Sequence, residues 1–452
     1  MIRSLTKPLR HSSIRQSLDR LRVSFWFAPL AMAVVSVLLV WIFQFIDAQI
    51  PNEDLKYSRV VLPGDTTDLR SILVGIATTT LATAGVVFSL LTIPLSTVAS
   101  QYGSRLLRIY LRDRTTQVVL GIFTGTFCFC LFAALTLPPS DPLVEPPQLT
   151  ISFALVLFLA TFASLIALIH HITTMLQAPN IVAAAGEELR SVVHNLSVQE
   201  GLDNCTDQAN DKLMPTELEQ NPGYAIQAMN TGYIQSVDIE HLIHLAKDAD
   251  LVIRLVRKPG NYVETGSLIA LAWPGEHIDH HTAGRISRTF WLGKNRNPIQ
   301  DVEYAVNQLA EVALRAMSPA INDPFTAMTC LDYIGTGLAL FVENDHPRLY
   351  FSDGNGSPRL YFEPVKFSEL LSAAFDMLRH ASCDNVAVLL RILDAIQTIG
   401  QNAILENQRK ELILQVERVL EESQNGQLIN RDKAAIRNRC ETLVSEFGRP
   451  IE

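Results

Sequence analysis

Three groups of residues have the types and spacing for chemistry. The run His277-Ile-Asp-His-His281 gathers three imidazoles and one carboxylate, side chains that ligate transition metals. An Asp-His-His run occurs in metal phosphoesterases, but those enzymes need further Asp and His ligands on neighbouring strands. The sequence offers no matching set, so a surface loop is the simpler reading and no metal site is assigned. His241 and His244 share a helix face without a cysteine or acidic partner and read as structural.

The second group is Ser318, Asn322, Asp323 and Thr326, around a helix break. Asp323 followed by Pro324 is a start signal, an N-cap with a first-turn proline. Because helix N-termini also attract anions, these four residues form a candidate ligand or subunit contact, with plain capping as the alternative. Just upstream, Glu311 and Arg315 have the spacing of an i,i+4 ion pair, worth roughly a few tenths of a kcal/mol.

The third group is a seam of small residues: Ser71, Gly75, Thr78, Ala82, Gly85, Ser89, Thr92, Ser96, Ala99 and Gly103. Their alternating steps of four and three place them on one heptad face. Small faces let membrane helices approach closely, which is one reading. The other is a hydroxyl-lined pore face around an oligomer axis, with Pro94 as a kink. Arg105, Arg108, Arg112 and Arg114 would then form a cytoplasmic basic mouth favouring anions. No Walker A loop, GxGxxG after a strand, HExxH, GxSxG or paired-cysteine motif occurs, so no catalytic residue, enzyme activity or cofactor is assigned.

The elements that must hold these groups are membrane helices first. Nearly half the chain, 48%, is hydrophobic, and the charges are missing in blocks. Between Arg22 and Asp47 lie 24 uncharged residues, between Arg70 and Arg105 34, between Arg114 and Asp141 26, and between Glu145 and Glu187 41. A hydrocarbon core of roughly 30 Å needs about 20 apolar residues as helix. Four spans are expected, at 26–46, 72–94, 118–137 and 151–175. None carries an ionisable group in its interior, which argues against a proton pump or voltage sensor. Gly121-x-x-x-Gly125 in the third span supports close helix contact and self-association, and packing alone explains it. His170 and His171 fit the cytoplasmic end of the fourth.

Orientation follows from the flanking bases. Arg3, Lys7, Arg10, Arg15, Arg20 and Arg22 precede the first span, and the four arginines follow the second, so both sides are expected in the cytoplasm. The loop from Asp47 to Arg70 holds five acids against three bases, and 138–148 holds no base, so both face outward. After Asn180 the chain carries 24 bases and 37 acids, which argues against nucleic acid as a partner. The six cysteines fall in a span or in the cytoplasmic region and are expected as reduced thiols.

Beyond the spans, 181–193 reads as an exit helix and 199–222 as a polar linker. A small mixed module follows, with strands at 232–237, 251–257 and 268–273, a helix at 238–247 and a turn at Pro259-Gly260. Its Gly260-x-x-Val263-x-x-Gly266 hairpin resembles biotinyl and lipoyl domains, whose carrier lysine is absent. Helices are expected over 298–317 and from Pro324 to about Phe341, then a turn-rich insertion at 343–364 and about four helices over 367–447.

Two stretches resemble a bacterial family of predicted membrane proteins, catalogued as domain of unknown function 2254. The first is Ala99-Ser-Gln-Tyr-Gly-Ser-Arg-Leu-Leu-Arg108 with Asp113 and 117–127. The second is Gln300-Asp301, Gln308-Leu309, Ala313, Ala316, Ser318-Pro-Ala-Ile-Asn-Asp-Pro324 and Thr326-Ala327. Gly232-Tyr233-Ile234 and Pro259-Gly260-Asn261-Tyr262-Val263 also fit, while Gly103-Ser104 departs from the Ser-Pro expected before Arg105. The resemblance covers about residues 20–400 and implies a membrane protein without implying an activity.

The expected fold class is an α-helical membrane protein: a four-helix transmembrane bundle with a cytoplasmic C-terminal region made of a β-containing module and a helical domain. The expected divisions are a basic N-terminal segment at 1–25, the bundle at 26–180, exit helix and linker at 181–222, the mixed module at 223–289 and the helical domain at 290–452. The expected partners are the lipid bilayer, further copies of the chain, and a cytoplasmic protein or small anion. The expected function is a homo-oligomeric channel or passive transport component of the bacterial inner membrane, gated by its cytoplasmic domain. The alternative is a membrane-anchored regulator or scaffold.

Overall fold

The computed structural model describes residues 26–49, 66–101, 113–137, 147–175, 177–200, 221–343, 350–353 and 356–448. The chain divides into two compact units, Met1–Asn180 and Ile181–Glu452. Thirteen α-helices and a small β region are present among the described residues.

The first unit is built from α1 (Phe27–Gln49), α2 (Thr66–Gln101), α3 (Arg114–Thr136) and α4 (Gln148–Met175). Each contains one of the charge-free stretches, and α2 continues as helix through position 94, where a kink was expected. Helix α3 is central. It is the most buried of the four because it packs against all three other helices. The approach to α1 is close: a Cβ on Gly125 would stand 2.7 Å from Ser36 Oγ, and one on Gly121 would run into Met32 Sδ. The glycine pair therefore packs α3 onto α1 of the same chain. Phe43, Phe129 and Phe153 fill the space beyond, with the Phe43 and Phe153 rings stacked at 4.4 Å.

Polar groups pin the helix ends, as they must where lipid offers no hydrogen bonds. The Asp47 carboxylate, at the end of α1, accepts from Leu149 N at 2.9 Å, Thr150 N at 3.0 Å and Thr150 Oγ1 at 2.7 Å, capping α4 from about a hundred residues away. Asp113 caps α3 through Thr116 N at 2.7 Å and pairs with His171 Nε2 at 3.0 Å. Mid-bundle, the buried Thr126 and Thr161 hydroxyls meet at 2.9 Å. Asp47→Ala is expected to lower stability by about 0.5–2 kcal/mol, the worth of an N-cap. Thermal unfolding in nanodiscs checks it, with Asp47→Asn falling between mutant and wild type.

The second unit begins within α5 (Ala178–Glu200) and continues with β1 (Tyr224–Gln227), β2 (Gly232–Val237), α6 (Ile239–Asp248), β3 (Val252–Leu255), β4 (Tyr262–Val263), β5 (Leu268–Trp273), α7 (His280–Ser287) and β6 (Phe290–Gly293). Helices α8 (Val302–Ala316) and α9 (Pro324–Glu343) precede β7 (Tyr350–Ser352) and β8 (Pro358–Tyr361). Then come α10 (Phe367–Ala381), α11 (Val386–Gly400), α12 (Glu406–Asn425) and α13 (Asn430–Phe447). One sheet has the order β1-β5-β3-β8-β7 and the other β4-β2-β6. All pairings are antiparallel except β3 with β8.

The strands read from the sequence at 232–237, 251–257 and 268–273 are present, whereas β1, β4, β6, β7 and β8 add to them. The segment 343–364, read as a turn-rich insertion, supplies the last two strands of the larger sheet. These strands are short and lack a run of alternation long enough to register in sequence; their pairing partners across the sheet make them strands.

Among the described residues, five helices are long and apolar enough to cross a membrane: α1 to α4 and, in the second unit, α9. That is one candidate more than the four read from the sequence. Helix α9 owes its apolar character to partners on several sides: α8, α11 at Gly335 beside Ala395, and α5 at Gly337, where a Cβ would lie 2.5 Å from Leu189.

Candidate functional site

The seam lies on α2 and points away from the rest of its unit. Ser71, Gly75, Thr78, Ala82, Gly85, Ser89, Thr92 and Ser96 are all exposed, while Leu69, Leu73, Ile76, Ala77, Thr80 and Val87 form the buried face. A Cβ added at Gly75 or Gly85 meets nothing within 4 Å. Among the described residues, nothing in this chain packs against the seam at those two positions. Hydroxyls along the seam turn back on their own helix: Ser71 Oγ donates to Thr67 O at 2.9 Å, Thr78 Oγ1 to Val74 O at 2.8 Å and Thr92 Oγ1 to Phe88 O at 2.9 Å. Each keeps lone pairs for a further partner. Of the basic mouth, Arg105, Arg108 and Arg112 lie outside the described residues, and Arg114 is the exposed first residue of α3.

The junction before α9 is a self-contained turn. Asp323 accepts from Thr326 N at 3.1 Å and from Thr326 Oγ1 at 2.5 Å, and Ser318 Oγ donates to Arg315 O at 2.6 Å. Asn322 takes a left-handed φ of 49°, which lets its N–H reach Ser318 O at 2.8 Å. The four predicted residues do come together: Asp323 and Thr326 bond one another, while Ser318 Oγ turns to the end of α8. The Glu311–Arg315 pair forms at 3.2 Å as its spacing predicts.

The histidine run does not gather. His277 ends a short 3-10 turn, whereas His280 and His281 open α7 and are exposed. Asp279 is that helix's N-cap, accepting from Thr282 N at 2.7 Å, and this hydrogen bond holds its carboxyl below the usual range. No three His, Cys, Asp or Glu side chains converge on a metal position among the described residues.

Three of the segments that carried the resemblance, at 232–234, 259–263 and 300–301, meet at one joint in the second unit. Gln300 clasps the end of β2, accepting from Val237 N at 2.8 Å and donating to Val237 O at 3.1 Å. Asp301, 4% exposed, caps α8 through Tyr304 N at 3.0 Å and takes a two-pronged bond from Arg296, at 2.8 and 2.9 Å. Burial pushes the Asp301 carboxyl up, against the pull of the guanidinium. Gly260 closes the joint: its φ is +92°, its N–H donates to Ile234 O at 2.8 Å, and a Cβ there would run into the Asp301 carboxylate. The Pro-Gly-Asn turn and the Gln-Asp pair are thus two halves of one structural fastening.

The sequence model of a family described as predicted membrane protein, DUF2254, matches residues 22–398. The chain belongs to this family. The match takes in all four helices of the first unit and the second unit through most of α11. Uncharacterized proteins of Mycobacterium bovis and Mycobacterium tuberculosis are each 25% identical over 401 residues, covering 87% of this chain and 75% of theirs. No solved structure matches.

Sequence reasoning missed a cavity in the second unit of this DUF2254 protein. It is lined from β2, β3, α5, α9, β7 and the segment after β8, and no motif links contributions so scattered.

Proposed function

We propose that this protein is a homo-oligomer of the bacterial inner membrane in which α2 seams of neighbouring copies face one another, forming a passive conduit that the second unit controls. Four spans, α1 to α4, cross the bilayer with both chain termini in the cytoplasm. Supporting this reading is the outward seam: eight small or hydroxylated positions exposed along one helix face, with open space beside Gly75 and Gly85. In lipid, a small-residue face gains most when another helix backbone comes close to it. The hydroxyl lone pairs left over along the seam suit water or ions in transit.

A second reading rests on those same hydroxyls. Because Ser71, Thr78 and Thr92 already donate within their own helix, the seam is also able to pack dry, leaving a membrane-anchored regulator or scaffold.

The test joins assembly to flux. With cysteines placed at Gly75 or Gly85, oxidation in nanodiscs is expected to yield cross-linked oligomers. Gly85→Leu is expected to abolish both the cross-link from position 75 and any anion flux through proteoliposomes. Cross-linking without flux in wild type selects the anchored regulator; a monomer in nanodiscs removes both the conduit and the seam contact.

A further inference from the structure

The cavity missed by sequence reasoning has a volume of about 380 Å³, within the size range of pockets for small ligands. One side of it is apolar and the other polar. Phe351 of β7 and Phe362, just after β8, stack at 5.1 Å with their planes only 16° apart and make a flat wall. Val193 of α5 and Val237 of β2 are buried beside it.

The polar lining lies on the β3–β4 turn and the segment leading into α10. Three cations and two carboxylates line the cavity, and four of these five pair off: Lys258 with Glu369 at 2.8 Å and Lys366 with Glu363 at 3.1 Å. Arg257 is left over. Its guanidinium is exposed and has no carboxylate partner among the described residues. Close by, Asn261 spends its side-chain oxygen on Lys258 N at 3.1 Å, so its amide N–H groups remain available as donors. Gln300, by contrast, is fully committed to the Val237 backbone and serves as wall.

A chamber with an apolar side, one unneutralised guanidinium and one free amide donor is complementary to a particular kind of molecule. We propose that this pocket binds a small amphiphile with an apolar body and a single anionic, carboxylate-type head. The body lies along the Phe351–Phe362 wall and the head meets Arg257 and Asn261. Arginine suits the role because its planar fork matches a carboxylate in two-pronged geometry. The site belongs wholly to the second unit and stands whether or not the seam conducts.

The test uses the full chain in nanodiscs, with empty discs subtracted, titrated calorimetrically with octanoate, octanol and octylammonium. Octanoate is expected to saturate at one per chain and to bind at least tenfold more tightly than the other two. Arg257→Glu, at an exposed position, is expected to weaken octanoate at least tenfold without changing the unfolding temperature. Leu196→Trp, which fills the chamber from α5, is expected to abolish binding. Acetate, a head without a body, is expected to bind too weakly to compete. Equal binding of the three probes, an unaffected Arg257→Glu, or no saturable signal above empty discs overturns the proposal. A soluble acid and a membrane-derived fatty acid share this chemistry. Retained affinity for water-soluble phenylbutyrate points to the former, and its loss with octanoate binding intact to the latter.

Discussion

Asp301→Ala is expected to destabilise the second unit by up to about 3–5 kcal/mol, because it removes the closer carboxylate of a largely desolvated ion pair and leaves Arg296 with the weaker Glu303 contact. Arg296 is only 24% exposed, and in wild type its charge is held by Asp301 with help from Glu303 at 3.4 Å. Its guanidinium also sits 5.6 Å from the centre of the Tyr304 ring. Without the carboxylate, α8 loses its cap as well. Unfolding followed by tryptophan fluorescence reads the loss, since Trp273 is 4% exposed in the native unit. The decisive comparison is the double substitution Arg296→Met with Asp301→Asn. It keeps a capping oxygen and leaves no charge behind, so it is expected to be clearly more stable than Asp301→Ala. Equal losses in the two would mean that neither the cap nor the leftover charge, but the Arg296–Asp301 attraction absent from both variants, carries the effect.

Gly125→Leu is expected to cost about 2–3 kcal/mol or more through overpacking between α1 and α3. The nearest obstacle is Ser36 Oγ, with the Met32 carbonyl oxygen at 3.6 Å behind it, so a branched side chain must push the backbones apart. Gly121→Ala is the milder control, because its obstacle is the flexible end of Met32. Melting temperature in nanodiscs, with the yield of folded protein, separates the two. If Gly125→Leu instead leaves the melting point in place and dissolves the oligomer, the glycine pair serves contact between chains.

These two positions show how unevenly the structure could be read in advance. Gly121-x-x-x-Gly125 is recognisable as a close-contact motif, since only glycine lets two helix axes come so near, yet the motif does not say which helix arrives. Likewise Gln300-Asp301 and Pro259-Gly260-Asn261 stand out as strings. Their meaning as a single clasp depends on a glycine turn and a carboxylate some forty positions apart occupying the same few ångströms. The seam on α2 was legible because one helix holds all of it. The pocket was not, because Val193, Arg257 and the Phe351–Phe362 pair come from three distant segments.

By itself, then, the sequence determined the features that depend on local chemistry. Charge-free stretches dictate apolar helices, the Asp-Pro start at 323 dictates a helix boundary, and period-four spacing dictates which residues share a face. Tertiary structure alone decided which of those faces are used. It buried α9 from several sides although its composition matches a span, recruited 350–361 into a sheet, and dispersed the histidine run by making Asp279 a cap. It also turned the α2 seam away from its own bundle. The physical reason is common to all four. Periodicity and capping act over a few residues, whereas burial and pairing are settled by what the folded chain brings from far away.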